Sequence, residues 1–296
     1  YFLGGSTTWA NIRGLLKNNI DSLQIFEQEQ FASKKVDVWG ISDKNLFLEA
    51  DKILSKEQKP FFAVIQTADN HRPYTIPEED LKRFNKVSYP NDTLVKYGFE
   101  NNEQLNAFRY TDFTIQTFIE KAKTSPYFKN TIFAFVGDHG IRGAAGKHFP
   151  NSFTNQGITA EHVPLLFYGP AFLQPKQVQF VCSQIDVLPT LASLAGKKLK
   201  HSALGINLVD SNYNQNRYAF IADPDQHTIG LVGNQFYYRE YHDQSHPEFV
   251  SVIDNQPIAN SPENESIKKY MQSLTRAFFE TSRYLLFHNK KSGSTH

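Results

Sequence analysis

Thr131-Ile-Phe-Ala-Phe-Val-Gly-Asp-His-Gly140 is the stretch on which the reading of the fold turns. Thr131 to Val136 is an unbroken run of β-branched, aromatic and small apolar residues, the pattern of a buried strand. Gly137 lets the backbone turn sharply, so Asp138 and His139 stand at the strand's carboxyl end, where open α/β sheets place their chemistry. A carboxylate beside an imidazole, with glycine on both sides, suits a divalent cation facing an oxyanion. On this stretch alone, an ordinary loop Asp-His pair is the commoner reading, and the segments around it shift the balance.

Working outward, Phe61-Phe-Ala-Val-Ile65 follows Pro60 and shows no alternation, so it is expected to be buried on both faces of a parallel sheet. It runs into the polar loop Gln66 to Tyr74, which would bring His71 to the same rim as Asp138 and His139. His162 to Tyr168 is a third apolar run, and the loop Ile141 to Ala160 before it carries Arg142, Lys147 and His148. Helices are expected between these runs. One starts at Ser42 or Asp43 with Leu46, Phe47, Ala50, Ile53 and Leu54 on one face. A long one spans roughly 101 to 124, with Leu105, Phe108, Phe113, Ile115, Phe118 and Ile119 as its core stripe. Ser183 to Gly196 is a compact helix, capped by Ser183 and stopped by Gly196. Near the start, Gly4-Gly5-Ser6-Thr7 reads as a strand-to-helix turn. Ser6 or Thr7 would be the N-cap, and Trp9, Ile12, Leu15 and Leu16 would share a helix face.

From about residue 216 the pattern changes to short strands separated by Gly233-Asn234 and followed by Asp254-Asn255, then a closing helix from Ser266 to Phe287. The expected fold class is therefore α/β, with a mostly parallel central sheet flanked by helices. Residues 1–210 would form the main domain, and residues 211–296 an antiparallel region and helix packed on it.

The 296 residues can bury a substantial core, and 31 basic against 30 acidic residues, evenly mixed, imply no nucleic-acid partner. With 25 Phe and 14 Tyr the composition is that of a packed globular chain. The one cysteine, Cys182, permits no internal disulfide and reads as a buried, inert thiol. There is no apolar run of 18 residues to span a bilayer. Tyr1-Phe-Leu-Gly-Gly reads as a strand end, so the chain is expected to be a piece of a longer protein.

Six segments, in this order, carry a resemblance: Val38-Trp-Gly-Ile-Ser-Asp43, Thr67-Ala-Asp-Asn-His-Arg-Pro73, Arg109-Tyr-Thr-Asp112, Val136-Gly-Asp-His-Gly140, His162-Val-Pro-Leu-Leu166 and Asp186-Val-Leu-Pro-Thr190. Together they resemble the sulfatase-like branch of the alkaline phosphatase superfamily, and most nearly its lipoteichoic acid synthase and phosphoglycerol transferase family, over roughly residues 1 to 210. The resemblance implies a membrane-anchored protein whose extracytoplasmic domain moves glycerol phosphate from phosphatidylglycerol to an envelope polymer through a phosphothreonine. It also implies one divalent ion, usually Mn²⁺, with Mg²⁺, Ca²⁺ or Zn²⁺ as alternatives. Asp138 and His139 align with two of that ion's ligands, and His71 with the histidine that contacts the phosphate. His148 lies near a further family histidine, at a different spacing.

This sequence departs from the family pattern in places. The family's nucleophile and first acidic ligand fall before Tyr1, so neither is expected here, and the piece alone would be incomplete, inactive and prone to self-association through uncovered strand edges. The family's substrate-binding Trp and Arg stand two apart, whereas Trp9 and Arg13 are four apart, and Leu3 replaces a histidine, which puts the donor or acceptor in doubt. Cys182-Ser-Gln-Ile is not the Cys-x-Pro-x-Arg of formylglycine sulfatases. The competing readings are a sulfatase or phosphodiesterase with water as acceptor, and a non-catalytic binding module that keeps the fold.

Overall fold

The computed structural model describes residues 1–197, 201–210 and 217–288, and these form an α/β fold with an antiparallel sheet towards the C-terminus. The chain divides into two compact units, Tyr1–Thr131 and Ile132–His296.

In the first unit the elements run β1 (Phe2–Leu3), α1 (Ile12–Asn19), α2 (Asp43–Leu54), β2 (Ile65–Gln66), α3 (Asn91–Lys96) and α4 (Asn102–Ala122). β1 and β2 pair in parallel, Phe2 opposite Ile65. Phe2, Ile41, Leu46, Ala50 and Leu54 form a buried cluster beside them, joined by Phe26 and Ile65. Each large apolar side chain buried in this way contributes about 1.5–3 kcal/mol. Ser42 caps α2, its hydroxyl accepting from the Asn45 amide at 3.4 Å. The side chain of Asn101 caps α4 by accepting from the Gln104 amide.

Three expectations change here. The run Phe61 to Ile65 is not buried on both faces, for Phe62 is 69% exposed. Among the described residues its one strand partner is the two-residue β1, which covers little of it. The face that α4 buries is Ala107, Tyr110, Thr114, Phe118 and Ala122, and Phe108 is exposed. α2 meets α4 through Phe47 and Phe118, stacked at 4.6 Å, and the small Ala and Thr side chains of the buried face suit close packing. Finally, Ser6 and Thr7 do not cap α1. Ala10 and Asn11 are left-handed and delay the helix to Ile12, and no residue of α1 is buried.

The second unit holds β3 (Phe133–Val136), α5 (Asn151–Asn155), β4 (Leu165–Tyr168), α6 (Val187–Leu194), β5 (Ala219–Asp223), β6 (Thr228–Val232), β7 (Phe236–Tyr241), β8 (Glu248–Ser251) and α7 (Pro262–His288). β3 and β4 are antiparallel, Phe133 opposite Tyr168. β5 to β8 form one antiparallel sheet in sequence order, Leu231 opposite Tyr238, as the turn residues indicate. α7 lays Met271, Leu274 and Phe278 against it in a core with Leu231 and Tyr238. Under that helix Glu240, 1% exposed, is held by both ends of the Arg276 guanidinium at 2.8 and 2.7 Å and by the Tyr238 hydroxyl at 2.6 Å. Burial raises the Glu240 pKa, but these donors outweigh it and hold the carboxyl below its usual range. Gly196 takes the left-handed conformation expected of a helix stop. The closing tail from Asn289 to His296 lies outside the described residues.

Candidate functional site

Asp138 and His139 belong to the second unit, and Trp9, Arg13 and His71 to the first.

β3 ends at Val136, and the following turn is fixed by its own backbone. The Gly137 amide donates to the Pro164 carbonyl at 3.2 Å, and the Gly140 amide to the Ala160 carbonyl at 2.7 Å. Gly140 has no room for a side chain, because a Cβ there would stand 2.2 Å from the Thr159 carbonyl oxygen. Gln184 adds a clamp from outside the turn, its amide donating to the Gly137 and Asp138 carbonyls at 2.6 and 2.7 Å. Upon this frame the Asp138 carboxylate accepts from the His139 amide at 2.9 Å. The His139 Nδ1 lies 2.8 Å from the Gly140 carbonyl oxygen. A carbonyl only accepts, so Nδ1 carries the proton of the neutral ring, the tautomer that leaves Nε2 a lone pair for a metal.

The His139 Nε2 and an Asp138 carboxylate oxygen are 3.8 Å apart, on side chains 65% and 80% exposed. One hard oxygen and one borderline nitrogen, preset by backbone bonds and within a rotamer adjustment of a common point, fit two positions around a divalent cation. Among the described residues no group of three or more His, Cys, Asp or Glu side chains could hold a metal ion, so the fit extends to two ligands. Nearby charge is arranged by Glu161, whose pKa is raised by burial and by Asp223, against the opposing pull of Arg142 and His139. His148 stands exposed in the segment just before α5.

In the first unit the loop after β2 carries His71 through two tight turns, the His71 amide donating to Ala68 and the Tyr74 amide to His71. The base of the loop is held by reciprocal carboxylate bonds. Asp43 accepts from the Ala68 and Asp69 amides at 2.7 and 3.0 Å, and Asp69 accepts from the Asp43 amide at 2.7 Å. Burial pushes both pKa values up; the charge of Asp37 adds to the rise at Asp43, and the charges of Asp43, Asp37 and Asp80 add to the rise at Asp69.

Trp9 and His71 meet through a residue that the sequence did not single out. The Trp39 ring lies 4.3 Å from the His71 imidazole and 5.9 Å from Trp9, which meets it edge-on. Arg13, by contrast, is ion-paired with Glu27, and its Nε donates to the Thr7 hydroxyl at 3.1 Å. The Thr7 amide and hydroxyl both donate to Glu27 at 2.7 Å. Burial raises the Glu27 pKa, and these donors with Arg13 override it to hold the carboxyl low. Trp9 and Arg13 thus enter different networks. Trp39, Asp43, Glu27 and Gln184 were missed as site-forming residues. The one available signal was that Trp39 and Asp43 share the short segment Val38 to Asp43.

The sulfatase family model matches residues 4–197. Among characterised relatives, the chain is 29% identical over 171 residues to the lipoteichoic acid synthase-like YvgJ of Bacillus subtilis, covering 55% of this chain and 26% of that protein. It is 25% identical over 190 residues to the lipoteichoic acid synthase of Staphylococcus aureus, covering 62% of this chain and 28% of that protein. The chain therefore spans about a quarter of the length of these relatives. Among solved structures, the fold is similar to an alkaline phosphatase superfamily protein from Vibrio parahaemolyticus, with a TM-score of 0.72 at 24% identity over 95% of this chain and 63% of that one. It is likewise similar to the lipoteichoic acid synthase LtaP from Listeria monocytogenes, with a TM-score of 0.71 at 18% identity over 95% of this chain and 68% of that one.

Proposed function

Because the chain belongs to the sulfatase family, we propose that it is part of the catalytic domain of an envelope phosphotransferase, one that moves phosphoglycerol or a related phosphoryl ester from a phospholipid to a glycan or polymer. The observation that carries this reading is the preset Asp138–His139 pair, with Nδ1 of His139 committed to a carbonyl and Nε2 left for a cation. Asp138 and His139 are two ligands of a divalent ion, Mn²⁺ before Mg²⁺, Ca²⁺ or Zn²⁺. When bound, such an ion polarises a phosphoryl oxygen and lowers the pKa of an attacking hydroxyl. His71 contacts the transferred phosphate and gives or takes a proton there, while Trp9 lines the substrate path. Arg13 and His148 are secondary candidates for substrate contact. In the reaction the P–O bond to the diacylglycerol breaks and a P–O bond to an acceptor hydroxyl forms. The nucleophile is assigned to a segment outside this chain, and the domain is assigned to the outer face of the membrane. No described helix is long and apolar enough to cross a bilayer.

The test is release of diacylglycerol from labelled phosphatidylglycerol by the full-length protein with Mn²⁺. The proposal expects release that is lost in Asp138→Ala and His139→Ala, and it fails if both variants keep wild-type turnover. The sulfatase match also supports a second reading, hydrolysis of a sulfate or phosphate ester. A Thr or Ser at the nucleophile position favours transfer, and a Cys within Cys-x-Pro-x-Arg favours sulfate hydrolysis.

A further inference from the structure

His71 sits exposed on a loop, where an imidazole would ordinarily sample several rotamers and both neutral tautomers. Here it is restricted by one neighbour in two ways. The Trp39 ring packs on the imidazole at a centroid distance of 4.3 Å and a tilt of 56°. The Trp39 indole Nε1 donates to the Arg72 carbonyl at 2.7 Å, and the His71 Nδ1 lies 3.0 Å from the same oxygen. A carbonyl oxygen has two lone pairs and no proton, so it accepts from both, and Nδ1 must be the protonated nitrogen of a neutral His71. Nε2 then holds the lone pair.

Trp39 is itself fixed. Its amide donates to the Asp37 carboxylate at 2.8 Å. Gly40 follows at φ +111°, in a place where a Cβ would lie 1.9 Å from the Gly4 carbonyl oxygen. Trp9 meets the Trp39 ring edge-on. Four residues on from Trp39, Asp43 ties the base of the His71 loop through the Ala68 and Asp69 amides. The segment Val38 to Asp43 therefore grips the loop at both its base and its tip.

We propose that Trp39 is a positioning residue for His71: by ring packing and by fixing the Arg72 carbonyl, it holds the imidazole in the Nδ1–H tautomer with Nε2 as the working nitrogen. This rests on the assignment of His71 to the phosphate. In that role Nε2 takes a proton from a hydroxyl when neutral, or donates an N–H to a phosphate oxygen when charged.

The test reads the imidazole directly. Long-range ¹H–¹⁵N spectra of ¹⁵N-histidine-labelled full-length protein, with His71→Asn to assign the signal, report which nitrogen bears the proton at a pH where the ring is neutral. The wild type is expected in the Nδ1–H form. Trp39→Phe keeps an aromatic ring but removes the donor, and is expected to shift His71 towards a tautomer mixture. Phosphatidylglycerol turnover by Trp39→Phe should fall in kcat by about tenfold with KM little changed, part of the roughly 10²–10⁴-fold that positioned acid–base groups supply. Adding Trp39→Phe to His71→Asn should cost nothing further, since both act through one group. A wild-type His71 in the Nε2–H form, or an unchanged tautomer in Trp39→Phe, would overturn the proposal. So would a rise in KM alone, which would make Trp39 a substrate contact. The spectra stand whether or not phosphatidylglycerol proves to be a substrate, so the two readings fail separately.

Discussion

Asp43→Ala should loosen the loop that carries His71, and the cost can be worked from the bonds it breaks. The Asp43 carboxylate is 2% exposed and receives the Ala68 and Asp69 amides at 2.7 and 3.0 Å. A buried amide left without a partner costs about 1–3 kcal/mol, and two are stranded. Against this, the substitution removes a buried carboxyl whose ionised form is opposed by burial and by the charge of Asp37, so a net loss of about 2–3 kcal/mol is expected. Trp9 and Trp39 both lie in the first unit, which makes tryptophan fluorescence a local reporter of urea unfolding. With a slope of about 1–3 kcal/mol/M, the midpoint should drop by roughly 1 M at unchanged slope. A midpoint within about 0.2 M of wild type would refute the reasoning, since it would mean that those amides find other partners at no cost.

Further outcomes follow from the same geometry. Asp43 and Asp69 both have raised pKa values, so the folded protein holds their protons to higher pH than the unfolded chain does. Their contribution is full below the ordinary carboxylate range and is lost as pH rises through the raised values. Asp69→Asn, whose amide oxygen can still accept from the Asp43 amide, should be the more stable protein at alkaline pH and show a flatter stability–pH curve in thermal melts. Arg276→Leu leaves Glu240 buried with the neutral donors Tyr238 and Gln272, and should cost about 3–5 kcal/mol in urea unfolding. Because Glu240 is held low, its stabilisation is present above the ordinary carboxylate range and fades as pH falls through the depressed value, a dependence the variant should lack. Gly140→Ala must displace the Thr159 carbonyl, and should weaken Mn²⁺ binding by about 10–100-fold in calorimetry, as loss of ligand support does.

What could be read from the sequence divides by physical range. The antiparallel sheet β5 to β8, the N-terminal cap of α2 and the stop at Gly196 depend on turn chemistry a few residues long, and their residue types announced them. The turn presenting Asp138 and His139 is of the same kind, a strand ending at a glycine. The phase of α4 was not legible, because its buried face includes the small side chains Ala107, Thr114 and Ala122, which a stripe of large apolar residues does not mark. Thr7 looked like a cap, but Glu27, twenty residues on, captured both its amide and its hydroxyl. Trp39 escaped notice for a similar reason. Its packing on His71 and its bond to the Arg72 carbonyl join residues more than thirty positions apart, and no periodicity records such a contact.

The central claim is that Asp138 and His139 are ligands of a catalytic divalent cation, and calorimetric titration of the full-length protein with Mn²⁺ tests it most directly. The account predicts one binding event per chain, weakened at least about a hundredfold in Asp138→Ala and in His139→Ala, more than the loss of an outer partner would cause. Wild-type affinity in both variants would contradict it.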